Sequence, residues 1–300
     1  MGSGCFSASS YRTYSKSLGR DYDEDTGRVT GQTYRERSLN EELDPRKFTV
    51  RECANSEEHP NTIPVILALD VTGSMGSACA ETAAALGTIM KNLYEKFQDV
   101  EFCIMGIGDC AFDDAPIQMS QFESDIRIAE ALDKLWIEKG GGGNRYESYT
   151  AAWYMGLHKT KLDCYDKQGR KGIIITMGDE PLNPYIPVNG VHGLNNKLNE
   201  HLQANIETPE LYKEASKKFD IFHIAVDDRG NCYSGYKEDI EKSFGQILGN
   251  RFKTSSINML AKTIEDCITE SVNNRDGGLN DCEVVPVSGN KLNEKGEITW

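Results

Sequence analysis

Four short apolar runs constrain this chain most: Ile63 to Leu69, Val100 to Ile107, Ile173 to Met177 and Phe219 to Val226. Runs of this length are too brief for isolated helices and match strands buried on both faces of a sheet. Between and after them, apolar residues recur at spacings of three and four, the period of a helix with one buried face. Leu86, Ile89, Met90, Leu93 and Phe97 form one such stripe, and Ile126, Ala129, Leu132 and Trp136 a second. Residues Tyr149 to His158 and Pro209 to Lys218 also read as helices, and Ile257, Leu260, Ala261, Ile264, Ile268 and Val272 close the series. The segment APIQMSQF reads as a strand, and its proline suits an edge. Strands alternating with amphipathic helices over some 210 residues predict an α/β fold: a mostly parallel sheet with helices on both faces.

A chain of 300 residues suits one large domain with additions. Residues 1–45 are polar and charged and read as a solvated arm, with one short strand near Phe48 to Arg51; residues 46–273 carry the alternating pattern; residues 274–300 form a polar extension. In that extension CEVVPV and GEITW have the composition of short strands. The 33 basic residues against 47 acidic ones leave a net charge of −14, which disfavours binding to nucleic-acid phosphates. No stretch approaches the roughly 18 apolar residues of a membrane span. The start MGSGCFS resembles an N-myristoylation signal but has Phe6 where Ser or Thr is required, and no secretory h-region follows it. The nine cysteines are scattered without a C-x-x-C pair, which in a chain lacking an export signal reads as reduced thiols and a cytoplasmic protein.

In a parallel sheet the loops that carry chemistry leave the carboxyl ends of the strands. The first apolar run ends there on a carboxylate, in LALDVTGSMGS: Asp70, then the hydroxyls of Thr72 and Ser74 around a glycine. A carboxylate and hydroxyls together are oxygen donors suited to a hard divalent ion such as Mg²⁺, with Mn²⁺ or Ca²⁺ as alternatives. The plainer reading is that Thr72 or Ser74 caps the following helix.

DVTGSM, after an apolar strand and before an amphipathic helix, resembles the metal-ion-dependent adhesion site of von Willebrand factor A domains, whose signature is D-x-[ST]-x-S. That resemblance spans roughly Ile63 to Val272 and implies a Rossmann-like three-layer sandwich of the intracellular bacterial or phage type. It implies a metal whose coordination a partner's Asp or Glu completes, and residues Asp70, Thr72 and Ser74 as the first loop of the site. The family's second loop gives a threonine; here KGGGGNRYES has none in place, and Asn144 and Glu147 stand as substitutes, with Ser148 a further alternative. A charged Glu147 would neutralise more of the metal. The third loop gives an aspartate, here Asp179 in IIITMGDEP rather than Glu180, displaced by a Met-Gly pair from the commoner Thr-Asp-Gly arrangement.

The resemblance therefore implies a metal-dependent protein–protein interaction module rather than an enzyme, with a MoxR-type AAA+ ATPase as one candidate partner. Two rivals stand beside it. Asp70, Asp109 and Asp179 all follow core strands, and three carboxylates could hold two metals for phosphoryl hydrolysis. Alternatively the domain is a structural or phage-assembly component whose metal site is vestigial. The glycine run Gly140 to Gly143 belongs to no Walker or G-x-G-x-x-G motif, no G-x-S-x-G is present, and the five histidines lack ligand spacing.

Overall fold

The computed structural model describes residues 5–138 and 143–276. Its main elements, in chain order, are α1 (Ala8–Ser17), β1 (Ile63–Asp70), α2 (Gly76–Tyr94), β2 (Val100–Ile107), β3 (Ile117–Glu123), α3 (Arg127–Asp133) and α4 (Thr150–Lys159). They continue with β4 (Gly172–Gly178), α5 (Thr208–Lys218), β5 (Phe219–Asp227), α6 (Tyr233–Leu248), β6 (Phe252–Ser256) and α7 (Leu260–Asp276). The strands form one six-stranded sheet in the order β6-β5-β4-β1-β2-β3. All neighbours are parallel except β3, which runs antiparallel to β2 at the edge where its preceding proline had placed it.

All eight residues of β1 are buried, which is why its sequence is continuously apolar. Val65, Leu67 and Leu69 face a cluster that includes Leu86 and Ile89 of α2 and Ile264 and Ile268 of α7. Ile66 and Ala68 face the opposite cluster, with Trp153 of α4, Leu211 of α5 and Phe244 of α6. The result is the three-layer α/β sandwich expected.

Connectivity decides where a site can form. The chain enters the sheet at central β1, moves outward through β2 and β3, then crosses back to β4 on the other flank of β1. At such a reversal the loops diverge and leave a crevice at the carboxyl ends of the strands. Asp70 is the last residue of β1, and Asp179 directly follows β4.

Several elements differ from the sequence expectation. The segment read as a solvated arm carries α1, whose Tyr11 is 2% exposed and donates its hydroxyl to the Ala83 carbonyl at 2.9 Å. Tyr34 reaches the Cys79 carbonyl at 2.8 Å, and Arg20 is ion-paired with Asp133 in a buried setting, so the arm is strapped across α2 and α3. The stripe ending at Trp136 is cut short at Asp133, because the Gln118 side chain accepts from the Trp136 N–H and donates to its carbonyl. The short strand lies at Arg51–Cys53, pairing in parallel with Thr160–Leu162. Helix α6 and strand β6 were not anticipated. CEVVPV, GEITW and most of the glycine run fall outside the described residues. Among the described residues no helix is long and apolar enough to cross a membrane, and the eight cysteines are all free thiols.

Candidate metal centre

Asp70 is fully buried where β1 ends. Its Oδ1 accepts from the Thr72 backbone N–H at 3.0 Å and the Thr72 hydroxyl at 2.5 Å. Its Oδ2 accepts from the hydroxyl of Tyr149, immediately before α4, at 2.8 Å. Thr72 Oγ1 lies 3.5 Å from Ser74 Oγ, and Ser74 donates to Asp179 Oδ1 at 3.2 Å. Asp179 Oδ2 accepts from the Cys232 N–H at 2.7 Å, at the start of α6, where the helix dipole favours an anion. A continuous polar chain thus crosses the crevice from β1 to β4. Neither Thr72 nor Met75, which precede the first helical turns, makes a side-chain capping bond, so the hydroxyls are committed to the carboxylates instead.

The second loop divides. Asn144 donates to Asp109 Oδ2 at 2.6 Å and so joins the loop after β2, not the Asp70 group. Asp109 also accepts from the Ala111 N–H at 2.8 Å and from the Ser148 hydroxyl at 3.4 Å, so its oxygens are used within that neighbourhood. Glu147 is 4% exposed, is bridged through its backbone to Leu182, and has a buried Oε2 with no hydrogen-bond partner. Leaving such an atom unpaired is costly, so Glu147 Oε2 stands out among the oxygens of this loop.

Electrostatics point the same way. Burial and then the Asp179 charge push the Asp70 carboxyl up to about 8. Glu147 is raised further, by burial and then by the Asp70 charge. Burial raises Asp179, and Glu180 reaches about 7 through burial and the Asp179 charge. The charges that act most on Asp70 and Glu147 are other carboxylates rather than lysines or arginines.

The donors are therefore oxygens only, with carboxylates in excess of any local cation, a set that a hard divalent ion accepts. Among the described residues no three His, Cys, Asp or Glu side chains form a ligand cluster by themselves. An ion in this crevice would need the Thr72 and Ser74 hydroxyls and water as well. Tyr149 was missed from sequence because a tyrosine opening an apolar stripe reads as core. Its visible trace was Gly178, the small residue ahead of Asp179.

No family model and no curated protein matches the sequence. Among solved structures, the chain is similar to the pilus adhesin SpaC from Lactobacillus rhamnosus GG in its open conformation, at 12% identity over 74% of this chain and 31% of that chain, with a TM-score of 0.50. It is also similar to the vWF domain of the type V pili tip protein Mfa5 from Porphyromonas gingivalis, at 13% identity over 73% and 97%, with a TM-score of 0.41. A third is the PilB minor pilin from Streptococcus sanguinis, at 12% identity over 71% and 62%, with a TM-score of 0.44. The chain spans about a third of the length of SpaC. At such identities the likeness is one of fold.

Proposed function

We propose that this chain is a divalent-cation-dependent protein–protein interaction module that engages an Asp or Glu of its partner. The observation that carries the reading is the polar chain Asp70–Thr72–Ser74–Asp179 spanning the switch point. Thr72, Ser74, Asp70 and Asp179 would hold Mg²⁺, or Mn²⁺ or Ca²⁺ in its place. When bound, the ion supplies an electrophilic centre that a partner's carboxylate can complete. The protein's own part is to keep two hydroxyls and two carboxylates in register at the ends of two paired strands. Tyr149 and the Cys232 N–H hold the carboxylate oxygens from behind. The hydrolase alternative would join Asp109 to Asp70 and Asp179, whereas the hydrogen-bond partners of Asp109 are Ala111, Asn144 and Ser148 and not the Asp70–Thr72–Ser74–Asp179 chain. The MoxR-type partner rests on the sequence resemblance alone.

A phage-displayed random peptide library, selected on the immobilised full chain in Mg²⁺ and eluted with EDTA, tests this. Eluted peptides enriched in Asp or Glu, and lost with Ser74→Ala, are the expected result. Binders indifferent to EDTA and without acidic residues would contradict it.

A further inference from the structure

The sequence departs from the adhesion-site pattern at two places: it has no threonine in the second loop, and it has a Met-Gly pair ahead of Asp179. The structure joins them. The Tyr149 hydroxyl donates to Asp70 Oδ2 at 2.8 Å and accepts from the Glu180 N–H at 3.2 Å, so one atom ties the loop after β1 to the loop after β4. That atom can sit there only because residue 178 has no side chain. A Cβ on Gly178 would lie 2.0 Å from the Tyr149 hydroxyl and 2.3 Å from its ring carbons. The ring is fixed from the other side, edge-on to His223 at 4.9 Å and tilted against Phe244 at 5.7 Å. His223 is itself stacked on Phe244 at 3.6 Å and hydrogen-bonded to Thr176 Oγ1 at 2.9 Å, so the backing of Tyr149 is a packed column rather than a mobile surface.

We infer that Tyr149 is the positioning residue of the cation site, and that Tyr149 and Gly178 are a matched pair that braces Asp70. The inference rests on the metal-dependent reading above. A side chain that holds a ligand's far oxygen orients the near one, and loss of such a partner weakens metal binding about 10- to 100-fold. Thr72 governs Oδ1 and Tyr149 governs Oδ2, so removing the Tyr149 hydroxyl frees the carboxylate to rotate while the ring and its packing remain.

The test is Mn²⁺ titration by calorimetry, with the EPR spectrum of bound Mn²⁺, on the full chain and on Tyr149→Phe, Gly178→Ala and the double variant. Expected is Mn²⁺ binding about tenfold weaker in each single variant, with an altered EPR line shape. In the double variant the added Cβ still meets the ring carbons at 2.3 Å, so binding there is no stronger than in Tyr149→Phe alone. Circular dichroism of the metal-free proteins stays unchanged for Tyr149→Phe, which separates positioning from folding. Wild-type binding with an unchanged constant and spectrum in Tyr149→Phe would overturn the positioning role and leave the metal reading intact. A Gly178→Ala variant that binds Mn²⁺ as the wild type does would overturn the pairing with Gly178. Failure of the wild type itself to bind Mn²⁺ would overturn the metal reading and this inference with it.

Discussion

Asp70 accepts three hydrogen bonds and is nevertheless held near 8, because burial and the Asp179 charge outweigh them. The consequence for stability has a definite sign. An unfolded aspartate titrates near 4, so the folded state binds the extra proton, and its contribution is complete below about pH 4 and lost as pH rises through about 8. Glu147 is shifted in the same direction. The metal-free protein should therefore show a Tm that falls between pH 5 and 8. Saturating Mg²⁺ should raise the Tm by an amount that grows with pH, since the ligands must lose their protons to bind. Thermal melts with EDTA and with Mg²⁺ across that range check this; a Mg²⁺ gain that shrinks with pH would contradict it. At this scale the grouping of Asp70 with Thr72 was legible from their spacing at a strand end, while the approach of Asp179 to Ser74 was expected only through the adhesion-site resemblance. Tyr149 was not, since its hydroxyl matters only once β1 and β4 are side by side.

Among the helices, α2 carries an exacting fit. Gly87 lies in its interior, where alanine would ordinarily add about 1 kcal/mol of helix stability. Here an added Cβ would meet the Gly27 carbonyl at 2.3 Å and the Tyr11 ring at 2.8 Å, so the N-terminal strap could not close on the helix. Gly87→Ala should therefore destabilise the protein, by the 1–3 kcal/mol typical of overpacking. Gly245→Ala in α6, with nothing within 4 Å of the new methyl, should stabilise it by about 1 kcal/mol. Urea unfolding of the two variants measures both signs, and a stabilised Gly87→Ala would show that the strap does not bear on α2. The strap was illegible because its composition is polar; its anchors are single aromatic hydroxyls on helix carbonyls and a buried Arg20–Asp133 pair, none of which makes a periodic pattern. Helix α6 did leave a signal, with Ile240, Phe244 and Leu248 buried four residues apart, though its remaining face is largely polar.

For the molecule as a whole, the order of strands matters more than any one of them. Four apolar runs announce a sheet buried on both faces, and DVTGSM announces the end of its first strand. The crossover that sets β4 in parallel on the flank of β1 opposite β2 brings Asp70 and Asp179 to one crevice, and no local pattern encodes it. The loop before α4 follows the same logic: Asn144 and Glu147 are equivalent candidates in sequence, while the fold sends Asn144 to Asp109 and leaves Glu147 buried without a partner for Oε2. The direct measurement of the central claim is calorimetric titration of Mg²⁺ and Mn²⁺ into EDTA-stripped protein, beside Asp70→Ala. Saturable binding at a single site, absent from the variant, is the predicted result. Wild type and Asp70→Ala giving the same isotherm, or neither binding millimolar ion, would contradict it.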